Sequence, residues 1–197
     1  MKQVISSNYR LGILGGGQLG KMLIHAANTL DIRTWVLDPY VDCPCAEISN
    51  RFVLGDFTDE DIVYDFGDRV DLITIEIEHV DTAALKRLAE EGKIIHPAPE
   101  KLEIIQDKGL QKKFFTDNGL PTEEFWLFEN RKEIRQAVRE GVIRTPFVQK
   151  QRLEGYDGRG VKMVSSDYDL EEILEGGSVI ERKTNIEKEL SVVVAYF

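Results

Sequence analysis

Lys150-Gln151-Arg152-Leu153-Glu154-Gly155-Tyr156-Asp157-Gly158-Arg159-Gly160-Val161 is a charged stretch with three glycines in six residues, Gly155 to Gly160. The β-forming run Pro146-Phe147-Val148-Gln149 feeds into it, and Val161-Lys162-Met163-Val164 leaves it. Strand, glycine loop and strand read as a β-hairpin built to move. Gly155, Gly158 and Gly160 permit positive φ and close approach of the backbone to a ligand. Lys150 and Arg159 add positive charge where an anion would sit. Two readings stand on these residues alone: a flap over nucleotide phosphates, and a surface hairpin with solvated charges.

Outward from the hairpin, the pattern on both sides is α+β. Phe125 to Phe128 reads as a strand and Arg131 to Glu140 as a helix. Asp167 to Leu174 reads as a short helix stopped by Gly176-Gly177, and Ser178 to Lys183 as a strand. Ile180 to Phe197 as a whole reads as two strands. Glu100 to Ile105 and Lys108 to Asn118 are predicted helices, the second ended by Gly119-Leu120-Pro121. Upstream, His96-Pro97-Ala98-Pro99 breaks the pattern and is the best internal boundary. Before it strands and helices alternate: Leu11 to Leu14, a helix from Leu19 to Leu30, Arg33 to Asp38, Arg51 to Leu54, a helix from Asp59 to Phe66 capped by Thr58, Asp71 to Glu76, a helix from Asp81 to Glu90, and Lys93 to Ile95. Alternation of this kind predicts a doubly wound parallel α/β sheet. The first helix carries an apolar stripe at Leu19, Met22, Leu23, Ala26, Ala27 and Leu30. The expected domains are 1–99, 100–177 and 178–197.

The net charge of −10 over 197 residues opposes nucleic acid as a partner, because backbone phosphates need a basic surface. A single nucleotide needs only a local cationic pocket. No run of about 18 apolar residues is present, so no membrane span is predicted. Met1-Lys2-Gln3-Val4 shows no secretory signal, which makes the cytoplasm the default expectation. Cys43-Pro44-Cys45 holds both cysteines. It could be a redox pair or half a zinc site, but zinc would need about four ligands and no second cluster exists. Reduced thiols in a turn are the expectation.

Gly15-x-Gly17-x-x-Gly20, between a strand and a helix, fits the dinucleotide fingerprint, and Asp38 ends the second strand where a ribose-binding acid would sit. The helix N-terminus favours an anion without saying whose phosphate it is. Glu76 and Glu78 alternate with isoleucines at a strand end, which predicts two carboxylates on one face. A solvated strand end is the plainer alternative. Lys108 stands at a helix start, an unfavourable place for a cation unless it serves an anion.

Lys-(x)4-Gly-Tyr-Asp-Gly-Arg-Gly resembles the phosphate flap of ATP-grasp ligases. With Gly15-Gly16-Gly17-Gln18-Leu19-Gly20-Lys21-Met22, Thr74-Ile75-Glu76-Ile77-Glu78-His79-Val80 and Gln106-Asp107-Lys108, it resembles the N-terminal half of the 5-(carboxyamino)imidazole ribonucleotide synthase family. The resemblance implies a Rossmann-like pre-ATP-grasp domain, then an ATP-grasp small lobe, with the second lobe cut short. It implies ATP-dependent carboxylation of aminoimidazole ribonucleotide with bicarbonate, a step of purine biosynthesis, with Mg²⁺ as cofactor and a homodimer for the full-length enzyme. Gly17, Gln18, Leu19 and Glu76 would bind the ribonucleotide. Lys108, Lys150, Gly155, Tyr156, Asp157, Gly158, Arg159, Gly160, Val161, Glu181, Arg182, Lys183, Thr184 and Glu189 would bind ATP, with Asp157 and Arg159 also catalytic. The metal carboxylates would lie in the other lobe, with none in this chain, which alone is expected not to catalyse ligation. Glu154 and Val161 depart from the family, which usually has Gly and Gln there. A formate-using glycinamide ribonucleotide transformylase shares the architecture, and a non-catalytic nucleotide-binding module is the rival of another class.

Overall fold

The computed structural model describes residues 8–153, 160–192 and 194. The chain divides into two compact units between Gln106 and Asp107. The first holds strands β1 (Arg10–Leu14), β2 (Arg33–Asp38), β3 (Arg51–Leu54), β4 (Leu72–Ile75) and β5 (Ile94–His96). They form one parallel sheet in the order β3-β2-β1-β4-β5. Helices α1 (Gln18–Asn28), α2 (Glu60–Asp68), α3 (Thr82–Glu90) and α4 (Pro99–Gln106) complete it. Successive strand residues point to opposite faces. Ile13 and Val36 accordingly pack with Ile24 of α1, while Leu14 and Leu37 join Val63, Phe66, Leu85 and Leu88 of α2 and α3. The strand order reverses between β1 and β4, and open α/β sheets bind ligands at the C-terminal ends of strands flanking such a reversal.

Two local expectations are corrected here. Asp59, not Thr58, caps α2: its side chain accepts from the Ile62 N–H, while Thr58 donates to Asp56. On α1 the buried face is Gly20, Ile24 and Ala27, whereas Leu19 and Met22 are exposed, as is Leu30 beyond the helix end. A Cβ on Gly20 would come within 3.0 Å of the Gly15 carbonyl oxygen. The helix therefore presents its smallest residue to the chain before it, which rotates the expected apolar stripe partly outward.

The second unit holds α5 (Lys108–Asp117), β6 (Phe125–Phe128), α6 (Arg131–Arg139), β7 (Phe147–Gln151), β8 (Val161–Val164), a 3-10 helix (Asp167–Glu171) and β9 (Ser178–Arg182). Its antiparallel sheet has the order β6-β9-β7-β8. One face, with Trp126, Phe128, Phe147, Val164 and Ile180, packs against Ile134 and Ala137 of α6 and Ile173. Val148, Lys150, Val179 and Glu181 lie on the other. The expected β-hairpin is present, β7 pairing with β8 from Phe147 opposite Val164 to Lys150 opposite Val161. Of the two strands expected over Ile180 to Phe197, β9 is formed and residues 183–192 have no regular secondary structure, while Val193 and Ala195 to Phe197 lie outside the described residues.

Gln149 holds the closing segment of this unit. It is fully buried on β7, donates to Leu174 O and Ser178 Oγ at 2.9 Å each, and accepts from the Leu174 N–H at 2.8 Å. An unpaired buried polar group costs about 1–3 kcal/mol. Gln149→Leu is therefore expected to destabilise the second unit by at least about 2 kcal/mol. Urea unfolding followed by Trp126 fluorescence in a Trp35→Phe background measures it, and a loss under about 0.5 kcal/mol would show that the amide is dispensable.

Candidate functional site

In the first unit the site grows from the end of β1. Gly15 has φ +95°, which only glycine adopts without strain, and its N–H donates to Leu37 O at 3.0 Å. Gly16 N–H donates to Asp38 Oδ2 at 2.7 Å, and Tyr40 N–H donates to Asp38 Oδ1 at 2.8 Å. Asp38 is buried, and both its oxygens are engaged by backbone. The acid that a dinucleotide fingerprint would give to a ribose instead fixes the glycine turn.

Gly17 is the N-cap of α1 and supplies no side-chain hydrogen bond to it. By contrast Asp59, Asp81, Asp107 and Asn130 cap α2, α3, α5 and α6 with their side chains. The first turn of α1, with Gln18 and Leu19, thus keeps donors for an external acceptor. Glu76 follows β4 and faces this turn. A Cβ on Gly15 would lie 2.7 Å from Glu76 Oε2, and one on Gly17 would lie 2.6 Å from Glu76 Oε1. Glycines at 15 and 17 make the room that this carboxylate occupies.

The expected pairing of Glu76 and Glu78 on one strand face is corrected: β4 ends at Ile75, and residues 76–78 form a bend. The alternation rule ends with the strand. The bend is held by Gln106, whose Nε2 donates to Glu78 O at 2.7 Å and Val80 O at 2.8 Å. The cysteines back the glycine turn. Cys45 N–H donates to Gly16 O at 3.1 Å, and the Cys43 sulfur fills the space a Cβ on Gly16 would need. Both thiols are free, and burial pushes Cys45 up to about 11, so it is not a nucleophile at neutral pH.

In the second unit, Glu181 sits between two lysines. Its Oε2 is 2.7 Å from Lys150 Nζ and its Oε1 is 3.1 Å from Lys112 Nζ. Val148 is directly opposite Glu181, so Lys150, two residues on, is its diagonal neighbour on the same face. Lys112 comes from α5, donates also to Thr122 Oγ1 at 2.7 Å, and lies over the Phe125 ring. Glu181 is only 7% exposed. Burial by itself would raise its pKa, but the Lys150 and Lys112 ammonium groups outweigh it and hold the carboxyl below the usual glutamate range. Two ammonium groups against one carboxylate leave the cluster with a surplus of positive charge.

Lys108 opens α5, and its N–H donates to Arg152 O at 3.0 Å. The unfavourable cation at a helix start is offset by the preceding residue, since Asp107 accepts from Gly109 N at 2.7 Å and Leu110 N at 3.2 Å. Gly160 has φ +68°, and Gln151 N–H donates to its carbonyl at 2.8 Å, aligning Val161 with the hairpin. Arg182 ends β9, Lys183 and Thr184 follow it, and Glu189 is exposed in the irregular segment beyond. Gly155, Tyr156, Asp157, Gly158 and Arg159 lie outside the described residues. Sequence reasoning missed Lys112, although it sits one helical turn after Lys108, and it passed over Asp107 and Arg152 inside motifs it had quoted.

The Glu181 cluster makes a pH-dependent prediction. A carboxyl whose folded-state pKa is depressed adds stability that is full above its unfolded value and is lost as pH falls through the folded one. The unfolding free energy of wild type minus that of Glu181→Gln should be constant above about pH 5 and shrink below the ordinary glutamate value of about 4.3. Urea titrations at several pH values measure it, and a pH-independent difference would refute the ionised cluster.

Residues 9–106 match the ribonucleotide synthetase preATP-grasp domain, and residues 113–196 match the ATP-grasp domain. The N5-carboxyaminoimidazole ribonucleotide synthase of Staphylococcus aureus strain MRSA252 is 33% identical over 188 residues, which are 93% of this chain and 50% of that protein. A crystal structure of N5-carboxyaminoimidazole synthetase from Staphylococcus aureus with ADP superposes with a TM-score of 0.83 at 31% identity, covering 91% of this chain and 48% of the other. The N5-carboxyaminoimidazole synthase of Aspergillus clavatus, solved with ADP and 5-aminoimidazole ribonucleotide, gives 0.77 at 30% identity, covering 92% and 48%. The chain spans about half the length of these relatives. With a ribonucleotide-synthetase preATP-grasp domain leading into ATP-grasp sequence, the chain resembles the N-terminal half of N5-carboxyaminoimidazole ribonucleotide synthases.

Proposed function

We propose that this chain is the ribonucleotide-binding domain and the first ATP-binding lobe of an ATP-dependent synthase that carboxylates 5-aminoimidazole ribonucleotide. The observation that carries the reading is the Glu76 carboxylate seated against Gly15 and Gly17. It puts a hydrogen-bond acceptor beside the free first turn of α1, the combination that a phosphorylated sugar bearing hydroxyl and amine donors requires. The engagement of Asp38 by Gly16 and Tyr40 supports this reading over a dinucleotide. In this reading Gly17, Gln18 and Leu19 receive the 5′-phosphate and Glu76 accepts from the ribose or amine.

Bicarbonate oxygen attacks the terminal phosphorus of ATP, ADP leaves, and carboxyphosphate forms. The exocyclic amine then attacks the carboxyl carbon and inorganic phosphate departs. Lys108 and Lys150 offset phosphate charge. Lys150 is shared with Glu181 and retains two further ammonium donors for phosphate oxygens. Asp157 and Arg159, outside the described residues, are assigned to the reacting groups by the family resemblance alone. Backbone groups at Glu181 to Thr184 meet the adenine, Glu189 meets the ribose, and residues 178–197 lead into the second lobe. Mg²⁺ neutralises phosphate charge in ATP-grasp chemistry. Among the described residues no group of three or more His, Cys, Asp or Glu is placed to hold a metal ion.

The full reading is a cytoplasmic homodimer without nucleic-acid or membrane partners. A net charge of −10 supports the absence of nucleic acid. No helix among the described residues is long and apolar enough to cross a membrane.

Calorimetry tests the reading. The protein should bind 5-aminoimidazole ribonucleotide in preference to NAD. Lys150→Ala should weaken ADP binding by about 1.5–3 kcal/mol, the range for a charge-assisted contact, and leave the ribonucleotide affinity unchanged. NAD binding without ribonucleotide binding would overturn the assignment, as would ADP affinity indifferent to Lys150→Ala.

A further inference from the structure

Arg152 is the first residue past β7, at the root of the glycine hairpin. Its Nε donates to Asp107 Oδ1 at 3.0 Å and its Nη2 to Asp107 Oδ2 at 2.6 Å, a two-pronged pair. Its third arm, Nη1, donates to Glu129 at 3.1 Å. Its backbone is held as well: Arg152 N–H donates to Gly177 O at 2.9 Å, and Arg152 O accepts from Lys108 N–H. Asp107 meanwhile caps α5 through Gly109 and Leu110. Gly109 leaves the space for this pair, since a Cβ there would stand 2.8 Å from Arg152 Nε. Asp107 is 9% exposed, so the pair works in a partly desolvated setting where a planar guanidinium fork is worth more than a point charge.

The helix needs only an oxygen at residue 107 for its cap. The fork adds a second function, because it joins two elements that each carry a lysine. Lys108 directly follows Asp107, and Lys150 precedes Arg152 by two residues on the adjoining strand. We propose that Arg152 and Asp107 are positioning residues: their fork locks the root of the glycine hairpin to the N-terminus of α5 and so fixes the spacing of Lys150 and Lys108 for nucleotide phosphates. This rests on the ATP-binding reading above.

The test uses Arg152→Lys, which keeps the charge but loses the fork, and Asp107→Asn, which keeps a good cap but loses the charge. Amide hydrogen exchange without nucleotide should quicken at Gly109 and Leu110 in Arg152→Lys. ADP affinity should fall roughly ten-fold or more in each single variant, and the double variant should be no worse than the weaker single one, as two halves of one contact behave. Affinity for 5-aminoimidazole ribonucleotide and the melting temperature of Arg152→Lys should stay near wild type, a split that loss of folding would not produce. Unchanged exchange, or ADP affinity that is unchanged or falls additively in the double variant, overturns the proposal. Absence of ADP binding by the wild-type protein would overturn the ATP-binding reading itself, and the positioning role with it.

Discussion

A carboxylate buried between two ammonium groups is the constraint on which the second unit depends. Glu181 would be costly to ionise at 7% exposure without partners. Lys150 and Lys112 remove that cost, and in return Glu181 fixes two long side chains that would otherwise sample many rotamers. The three groups come from β7, α5 and β9, so the ion cluster and the strand pairing specify the same packing. Its strength as a fold element is limited, because buried ion pairs are often worth no more than apolar residues of similar volume. Its value lies in placement: it holds ammonium groups, at fixed positions and in surplus, on the sheet face away from the α6 core.

The first unit solves the opposite problem. It must keep backbone donors unspent at one helix end while holding a sharp turn in shape. Side-chain caps on α2, α3, α5 and α6 would defeat the purpose if repeated on α1. Asp38 and the two cysteines therefore brace the turn from behind, by Gly16 N–H, by Gly16 O and by direct packing. The turn is braced, yet α1 carries no side-chain cap. Topology brings Glu76 to the same place, because β1 and β4 are neighbours across the reversal of strand order.

What could be read from the sequence was what short-range chemistry encodes. Glycines at 15, 17 and 20 after an apolar run specify a strand, a turn and a helix within ten residues or so, and the β/α alternation follows from periodicity. The hairpin flanking Gly155 to Gly160 was legible for the same reason. The interactions that escaped are those made across the fold. Gly16 and Asp38 are 22 residues apart, and Arg152 and Asp107 are 45 apart. Asp38 ended a strand, as a ribose-binding acid would, and only its two backbone partners distinguish a brace from a ligand group. Glu76 and Glu78 were placed on a strand that stops one residue too early for the alternation rule: Glu76 N–H makes the last ladder bond, to Leu14 O, and the chain bends from there.

A protein with a net charge of −10 must still attract polyanions if the functional reading holds. Over distances beyond a screening length of about 8 Å the excess acidity is largely masked by salt, so local charge decides binding. The local arrangement is favourable in both units. In the first, the attractive element is a set of uncharged backbone dipoles, which need no lysine and are not neutralised by neighbouring carboxylates. In the second, Glu181 takes up part of the charge of Lys112 and Lys150 without cancelling it, and Asp107 is neutralised by Arg152. In the second unit the acidic residues beside the lysines are thus engaged as counter-ions or caps, whereas in the first the Glu76 carboxylate stands against the glycine turn as an acceptor. Under the proposed function, an acidic protein can thus still bind single nucleotides through local charge.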